Sequence, residues 1–117
     1  MLTFKVEGNC VPKQRPRKGK GGQFYTPKRT LDYEEKVRVA ALAKKARPSD
    51  KVVMLKCRFH FDDRRNRDLD NCVKSVSDAL NGVAWDDDAQ ICHLHAHKYY
   101  NHQGGYTEVI IDYYDRE

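Results

Sequence analysis

The chain has 117 residues, 39% of them apolar and 33% charged, with 22 Lys and Arg against 17 Asp and Glu for a net charge of +5. That length suits one domain, and no apolar run approaches the ~20 residues a membrane-spanning helix needs. Seven Tyr, four Phe, one Trp and several β-branched clusters argue against disorder, because they can close a small core.

Leu2, Phe4 and Val6 alternate with Thr3, Lys5 and Glu7, which predicts a half-buried strand. Residues 9–31 then contain no acid but carry Lys13, Arg15, Arg17, Lys18, Lys20, Lys28 and Arg29. Pro12, Pro16, Pro27 and the cluster Gly19, Gly21, Gly22 oppose regular structure there. The expectation is a basic flexible loop at about residues 9–30, mobile at 18–23. Thr30 can cap a helix running to about Ala46, with Tyr33, Val37, Ala40 and Ala41 on one face and Pro48 beyond its end.

Val53, Leu55, Cys57, Phe59 and Phe61 alternate with Met54, Lys56, Arg58 and His60 in the clearest strand. A second helix is expected from Asp68 or Asp70 to Asn81-Gly82, with Leu69, Val73, Val76 and Leu80 as its buried stripe. Two strands follow at residues 90–100 and 106–113, and Gly104-Gly105 between them suits a hairpin. The whole reads as one α/β or α+β domain over residues 1–117, a small mixed sheet of about four strands with two helices packed against it.

The chemistry concentrates in RRNRDLDN, at residues 64–71, then Lys74, then WDDDAQ at residues 85–90. Asp68 and Asp70 stand where a strand gives way to a helix, and Asp70 and Lys74 share a helix face. Asp86, Asp87 and Asp88 immediately precede a strand. If that strand pairs beside the first, both acidic segments converge at one end of the sheet. Gathered carboxylates repel one another unless a cation sits among them, and hard oxygen donors suit Mg²⁺ or Mn²⁺. Such an ion activates water and stabilises a phosphodiester transition state, while Lys74 could orient the water or neutralise developing charge. Each piece also has a plainer use. Asp68 or Asp70 could be a helix N-cap, 86–88 an exposed turn, and Lys74 an ion-pair partner of Asp70. Arg64, Arg65 and Arg67 beside these acids favour a polyanion substrate with a cation between.

The segment RRNRDLDNCVKSVSDALNGVAWDDDAQI, residues 64–91, resembles the RusA family of Holliday junction resolvases, including its phage and prophage members. The shared pattern is a basic run, Asp-x-Asp-Asn, a Lys four residues after the second Asp, Asp-Ala-Leu, and Asp-Asp-(Ala/Ser)-Gln. VPKQRPR (residues 11–17) and YTPKRTLDYE (residues 25–34) are similar to the leading loop and first helix of phage-type members. The resemblance implies a homodimeric, Mg²⁺-dependent endodeoxyribonuclease of the bacterial cytoplasm that binds four-way DNA junctions and places paired symmetric nicks. It puts the essential acids and metal ligands on Asp68, Asp70 and Asp88, and the essential lysine on Lys74. Asp86 lengthens the acidic run, so Asp87 competes with Asp88 for the third position. Asn66 interrupts the basic run.

Lys13, Arg15, Arg17, Lys18, Lys20, Lys28 and Arg29 are the expected phosphate grip, with Phe24 and Tyr25 available to stack on exposed bases. Arg64, Arg65 and Arg67 are expected on the backbone beside the scissile phosphate. A non-cutting protein that binds branched DNA would share these cations without needing the carboxylates. His93, His95 and His97 alternate along a strand and share a face, where zinc is one use and an outer polar surface the commoner one. Cys10, Cys57, Cys72 and Cys92 form no CxxC pair and follow no leader-like segment, so free thiols in a reducing cytosol are expected.

Overall fold

The computed structural model describes residues 1–14 and 17–116, with the backbone alone at residue 17. The elements are β1 (Leu2–Glu7), β2 (Arg17–Lys18), β3 (Phe24–Tyr25), α1 (Lys28–Ala43), β4 (Val52–Phe61), α2 (Leu69–Leu80), a 3₁₀ turn (Asp88–Gln90), β5 (Ile91–Tyr100) and β6 (Tyr106–Tyr114). The mixed α+β architecture read from the sequence is the one found. The main sheet has the order β1-β6-β4-β5, and β2-β3 form a separate ribbon. β4 lies between β6, antiparallel to it, and β5, parallel to it.

Period-two alternation in β4 divides the molecule into layers. Val53, Leu55, Cys57, Phe59 and Phe61 are buried beneath the helices, joined by Val37 and Ala41 of α1 and Cys72, Val76, Ala79 and Leu80 of α2. Trp85, just past α2, is fully buried and closes that end of the core. Each large side chain so enclosed contributes about 1.5–3 kcal/mol. The alternate residues Met54, Lys56, Arg58 and His60 face away from the helices. His93, His95 and His97 lie in register with Met54, Lys56 and Arg58, so they share that outer face and are exposed. His60 stacks between Tyr99 and Tyr106 there, at ring centroid distances of 4.8 and 4.1 Å. No described helix is long and apolar enough to cross a membrane.

Several local expectations are revised. β5 and β6 do not form a hairpin, because β4 separates them. The intervening residues cross the end of β4, where Asn101 N–H donates to the Phe61 carbonyl at 2.7 Å. Gly105 serves close approach rather than a hairpin turn. Its carbonyl accepts from Gly8 N–H at 2.9 Å, and a Cβ there would collide with the Asn9 side chain. The basic segment contains the β2-β3 ribbon, closed by Gly19 N–H donating to the Gln23 carbonyl at 2.7 Å.

α1 begins two residues before Thr30, since Pro27 occupies the N-cap and its carbonyl accepts from Thr30 and Leu31 N–H. Thr30 is instead buried in the first turn, its Oγ1 without a partner among the described residues. The helix stops at Ala43, where Lys45 turns left-handed at φ 63° and Ala46 N–H reaches back to the Ala41 carbonyl. The buried face of α2 is broader than its predicted stripe. It takes in Cys72, Ser75, Ser77 and Ala79, while Leu69 and Val73 lie only at its margin. The chain segment at residues 10–13 lies along α2 and adds this second burial. Ser75 Oγ donates to the Val11 carbonyl at 2.6 Å, and Lys13 N–H to the Asn71 carbonyl at 2.8 Å.

Candidate active site

Asp68 is the N-cap residue of α2 by position, with extended backbone, yet its carboxylate makes no capping hydrogen bond. It accepts instead from Asn71 Nδ2 at 3.3 Å. Asp70, in the first turn, accepts from Asn71 N–H through Oδ1 at 3.0 Å. Both carboxylates are exposed, and among the described residues each retains an oxygen with no partner. They line a cleft of about 580 Å³ with Pro12, Lys13, Gln14, Asn66 and Arg67.

The second acidic segment is built differently. Buried Gln90 accepts from both Asp86 and Asp87 N–H through Oε1 at 2.8 Å, and its Nε2 donates to the carbonyls of Ser49 and Lys51 at 2.6 and 2.8 Å. Gln90 thereby ties the turn to the chain entering β4. Trp85 Nε1 donates to Asp88 Oδ1 at 2.8 Å, which fixes that carboxylate against the core.

The sheet does not bring the two segments to one end. β5 starts beside Val53 and β4 ends at Phe61. Parallel pairing therefore leaves residues 86–88 near the entry of β4 and Asp68 past its exit. α2 runs back between them and carries Lys74, whose ammonium lies 2.9 Å from Asp78 Oδ1. The Lys74 ammonium is held above its ordinary pKa, first by its hydrogen bond with Asp78, then by the charges of Asp78, Asp88 and Glu34. Among the described residues, no three His, Cys, Asp or Glu groups form a metal-sized cluster. That statement covers the strand histidines as well as the aspartates.

The expected DNA-binding cations have divergent surroundings. Lys18, Lys20 and Arg29 are exposed, as are Phe24 and Tyr25. Lys28 is exposed and paired with Asp32 at 2.7 Å. Arg15 and the Arg17 side chain lie outside the described residues. Lys13 is mostly buried between Glu34 and Asp78, at 3.3 and 3.2 Å. Arg64 is exposed and its guanidinium lies 4.1 Å from the centre of the Tyr100 ring. Arg65 is exposed near Asp63. Arg67 is largely buried, 4.3 Å over the Phe61 ring and paired with Asp63 at 2.6 Å. That bond is the main reason the Asp63 carboxyl is pulled down to about 2.

Four further residues, Glu34, Asp63, Asp78 and Gln90, orient the named ones; the motif contains Asp78 and Gln90 without giving either a role, and Glu34 and Asp63 lie outside it. Two carried a visible signal, since Asp63 precedes Arg67 by four residues and Asp78 follows Lys74 by four. Cys10 and Cys57 are buried free thiols whose pKa values burial drives upward, to about 12 for Cys57. Neither is placed to act as a nucleophile.

The sequence model for endodeoxyribonuclease RusA matches residues 7–112. Crossover junction endodeoxyribonuclease RusA of Escherichia coli K12, of Escherichia coli O1:K1 and of Shigella sonnei each share 40% identity over 60 residues. That alignment spans half of this chain and half the length of each of those relatives.

Proposed function

The chain belongs to the RusA endodeoxyribonuclease family, and from that premise we propose that it is a structure-specific endonuclease cutting four-way and related branched DNA. In this reading two copies act together, and each nicks one of two strands of like polarity, which suits the two-fold character of a junction. The observation that carries the proposal is the start of α2. Two exposed aspartates stand there without a capping hydrogen bond, Asp70 one helical turn before Lys74, and exposed Arg64 and Arg65 precede them in the chain.

The donor chemistry fits Mg²⁺, with Mn²⁺ as a substitute. Asp68 and Asp70 are hard oxygen donors with unengaged oxygens. Asp88, held by Trp85 near the entry of β4, is the third acid that the family resemblance assigns, and among the described residues of this chain it does not join them in one metal-sized cluster. When bound, a divalent ion supplies Lewis-acid activation of water and offsets negative charge on the phosphate. Lys74 supplies a fixed positive charge toward the negative charge that develops on the phosphate, in the role of electrostatic stabiliser. Lys18, Lys20, Lys28, Arg29, Arg64 and Arg65 hold phosphates without reading sequence, so binding weakens steeply with salt. Phe24 and Tyr25 offer aromatic surface to unpaired bases at the branch point. Lys13 and Arg67 support the site from within, because carboxylates of the protein already engage them.

The test is incubation of the protein with an end-labelled four-way junction, with and without Mg²⁺, with the nicks mapped. Mg²⁺-dependent, symmetric cuts are expected in opposed strands. Junction binding with no cutting in Mg²⁺ or Mn²⁺ would overturn the enzymatic reading and leave a branched-DNA-binding protein.

A further inference from the structure

Between the two helices lies a row of alternating charges that ends on Lys74, and the nuclease reading leaves its two acids, Glu34 and Asp78, without a task. Glu34 of α1 is buried, and its carboxylate lies 3.3 Å from Lys13 Nζ. Lys13 Nζ also lies 3.2 Å from Asp78 Oδ2, and the other oxygen, Asp78 Oδ1, lies 2.9 Å from Lys74 Nζ. Two acids and two lysines balance in charge. An exposed lysine with an acid one turn away is ordinarily a weak and mobile pair. Here the acid is not mobile. The Asp78 side chain is only 21% exposed and is gripped from the far side by Lys13. Lys13 is itself anchored through its backbone to Asn71 of α2. Asp78 is thus a preorganised acceptor whose two oxygens face two lysines from different parts of the chain.

We propose that Asp78 is a positioning residue for Lys74: clamped by Lys13 and Glu34, it holds the Lys74 ammonium in place as a permanent cation at the cleavage site. This rests on the nuclease reading of Lys74. The groups around that ammonium are Asp78 on its own helix, Glu34 on α1, Lys13 at the root of the basic segment, and Asp88 before β5. Three of the four are acids, so the charged form is favoured and Lys74 does not serve as a base. The arrangement also links the root of the basic segment to the helix that carries Asp70.

Two measurements on the full chain test this. The first is NMR titration of the lysine side-chain signals without DNA or metal. The Lys74 midpoint is expected to fall in Asp78→Asn, and to stay near its original value in Asp78→Glu. The second is single-turnover cutting of a four-way junction, with binding measured separately without metal. Asp78→Asn is expected to slow cutting by about tenfold or more while changing junction affinity less than about twofold. Its alkaline loss of rate should move to lower pH, and Asp78→Glu should recover much of the rate. A purely structural role would not move the Lys74 midpoint. An unmoved midpoint in Asp78→Asn overturns the proposal whatever the cutting assay gives. A moved midpoint with undiminished cutting overturns the positioning role. A wild-type chain that cuts no junction overturns the nuclease reading on its own, independently of the titration.

Discussion

The two acidic segments share a composition and have opposite construction. At the start of α2, Asp68 and Asp70 are exposed and only lightly held, chiefly by Asn71. Before β5, the backbone of Asp86 and Asp87 is pinned by buried Gln90, and Asp88 is fixed by the indole of Trp85. The first pair is free to adjust. The second segment offers one carboxylate at a position fixed by the core. If both segments serve one reaction, as proposed, they are its yielding and its rigid side, so substitutions in the two should separate function from stability.

The largest effect is expected on the yielding side. Asp70→Asn should keep junction binding and lower the nicking rate by about a thousandfold, as loss of a charged metal ligand would. Its stability should fall by no more than about 0.3–1 kcal/mol, the helix-dipole contribution of a first-turn acid. Cutting by this variant at the wild-type rate would remove Asp70 from the ligand set. Lys74→Ala should slow cutting far more than it weakens binding, and the reverse would make Lys74 a simple phosphate contact.

The rigid side should respond in stability first. Gln90→Leu strips four hydrogen bonds and leaves the Ser49 and Lys51 carbonyls without that donor. The cost is about 1–3 kcal/mol for each buried group left unsatisfied, so a loss of about 3 kcal/mol is expected from thermal or urea unfolding. A change below about 1 kcal/mol would show that the segment is not held as described.

Much of this contrast was hidden in the sequence, for identifiable reasons. Alternation in β4 and the Asn81-Gly82 stop on α2 were plain, because period and turn chemistry are local. The order of the strands was not. Gly104-Gly105 looks like a hairpin turn, but Gly105 is there because Asn9, distant in sequence, approaches its Cα. The expected pairing of β5 beside β4 is found, but it does not bring the acids to one end of the sheet. The two strands run parallel, so residues 86–88 lie by the entry of β4, away from Asp68. Charge alone marks Lys13 as a DNA contact, and the acid that faces it, Glu34 of α1, is distant in sequence. The start of α2 was legible because its residues belong together locally.

An intermediate effect is expected from Trp85→Phe, which keeps a large ring in the core and deletes the donor to Asp88. Losing a hydrogen bond to a charged group should cost about 1.5–3 kcal/mol, partly relieved if water reaches the freed carboxylate. If the fixed position of Asp88 matters to the reaction, cutting should fall as well, with junction affinity unchanged. Unaltered cutting would mean that the core need not hold this acid.

The smallest effect concerns an acid outside both segments. Asp63 accepts from Arg67 at 2.6 Å and from the Arg65 N–H at 3.0 Å, and these bonds hold its carboxyl down to about 2, against an ordinary value of 3.8. A depressed native value means that the charged form stabilises the fold. Its contribution is complete above the unfolded value and disappears as the pH falls from there through about 2. A titration followed at the Asp63 carboxyl carbon should therefore show a midpoint well below that of a free aspartate. In Arg67→Met the midpoint should rise toward the ordinary value, since the methionine still covers Phe61 but donates nothing. Because Arg67 lies directly before Asp68, this variant also asks whether the yielding side needs a fixed cation behind it. A midpoint near 3.8 in the unaltered chain would show that Asp63 leaves Arg67 free to meet DNA.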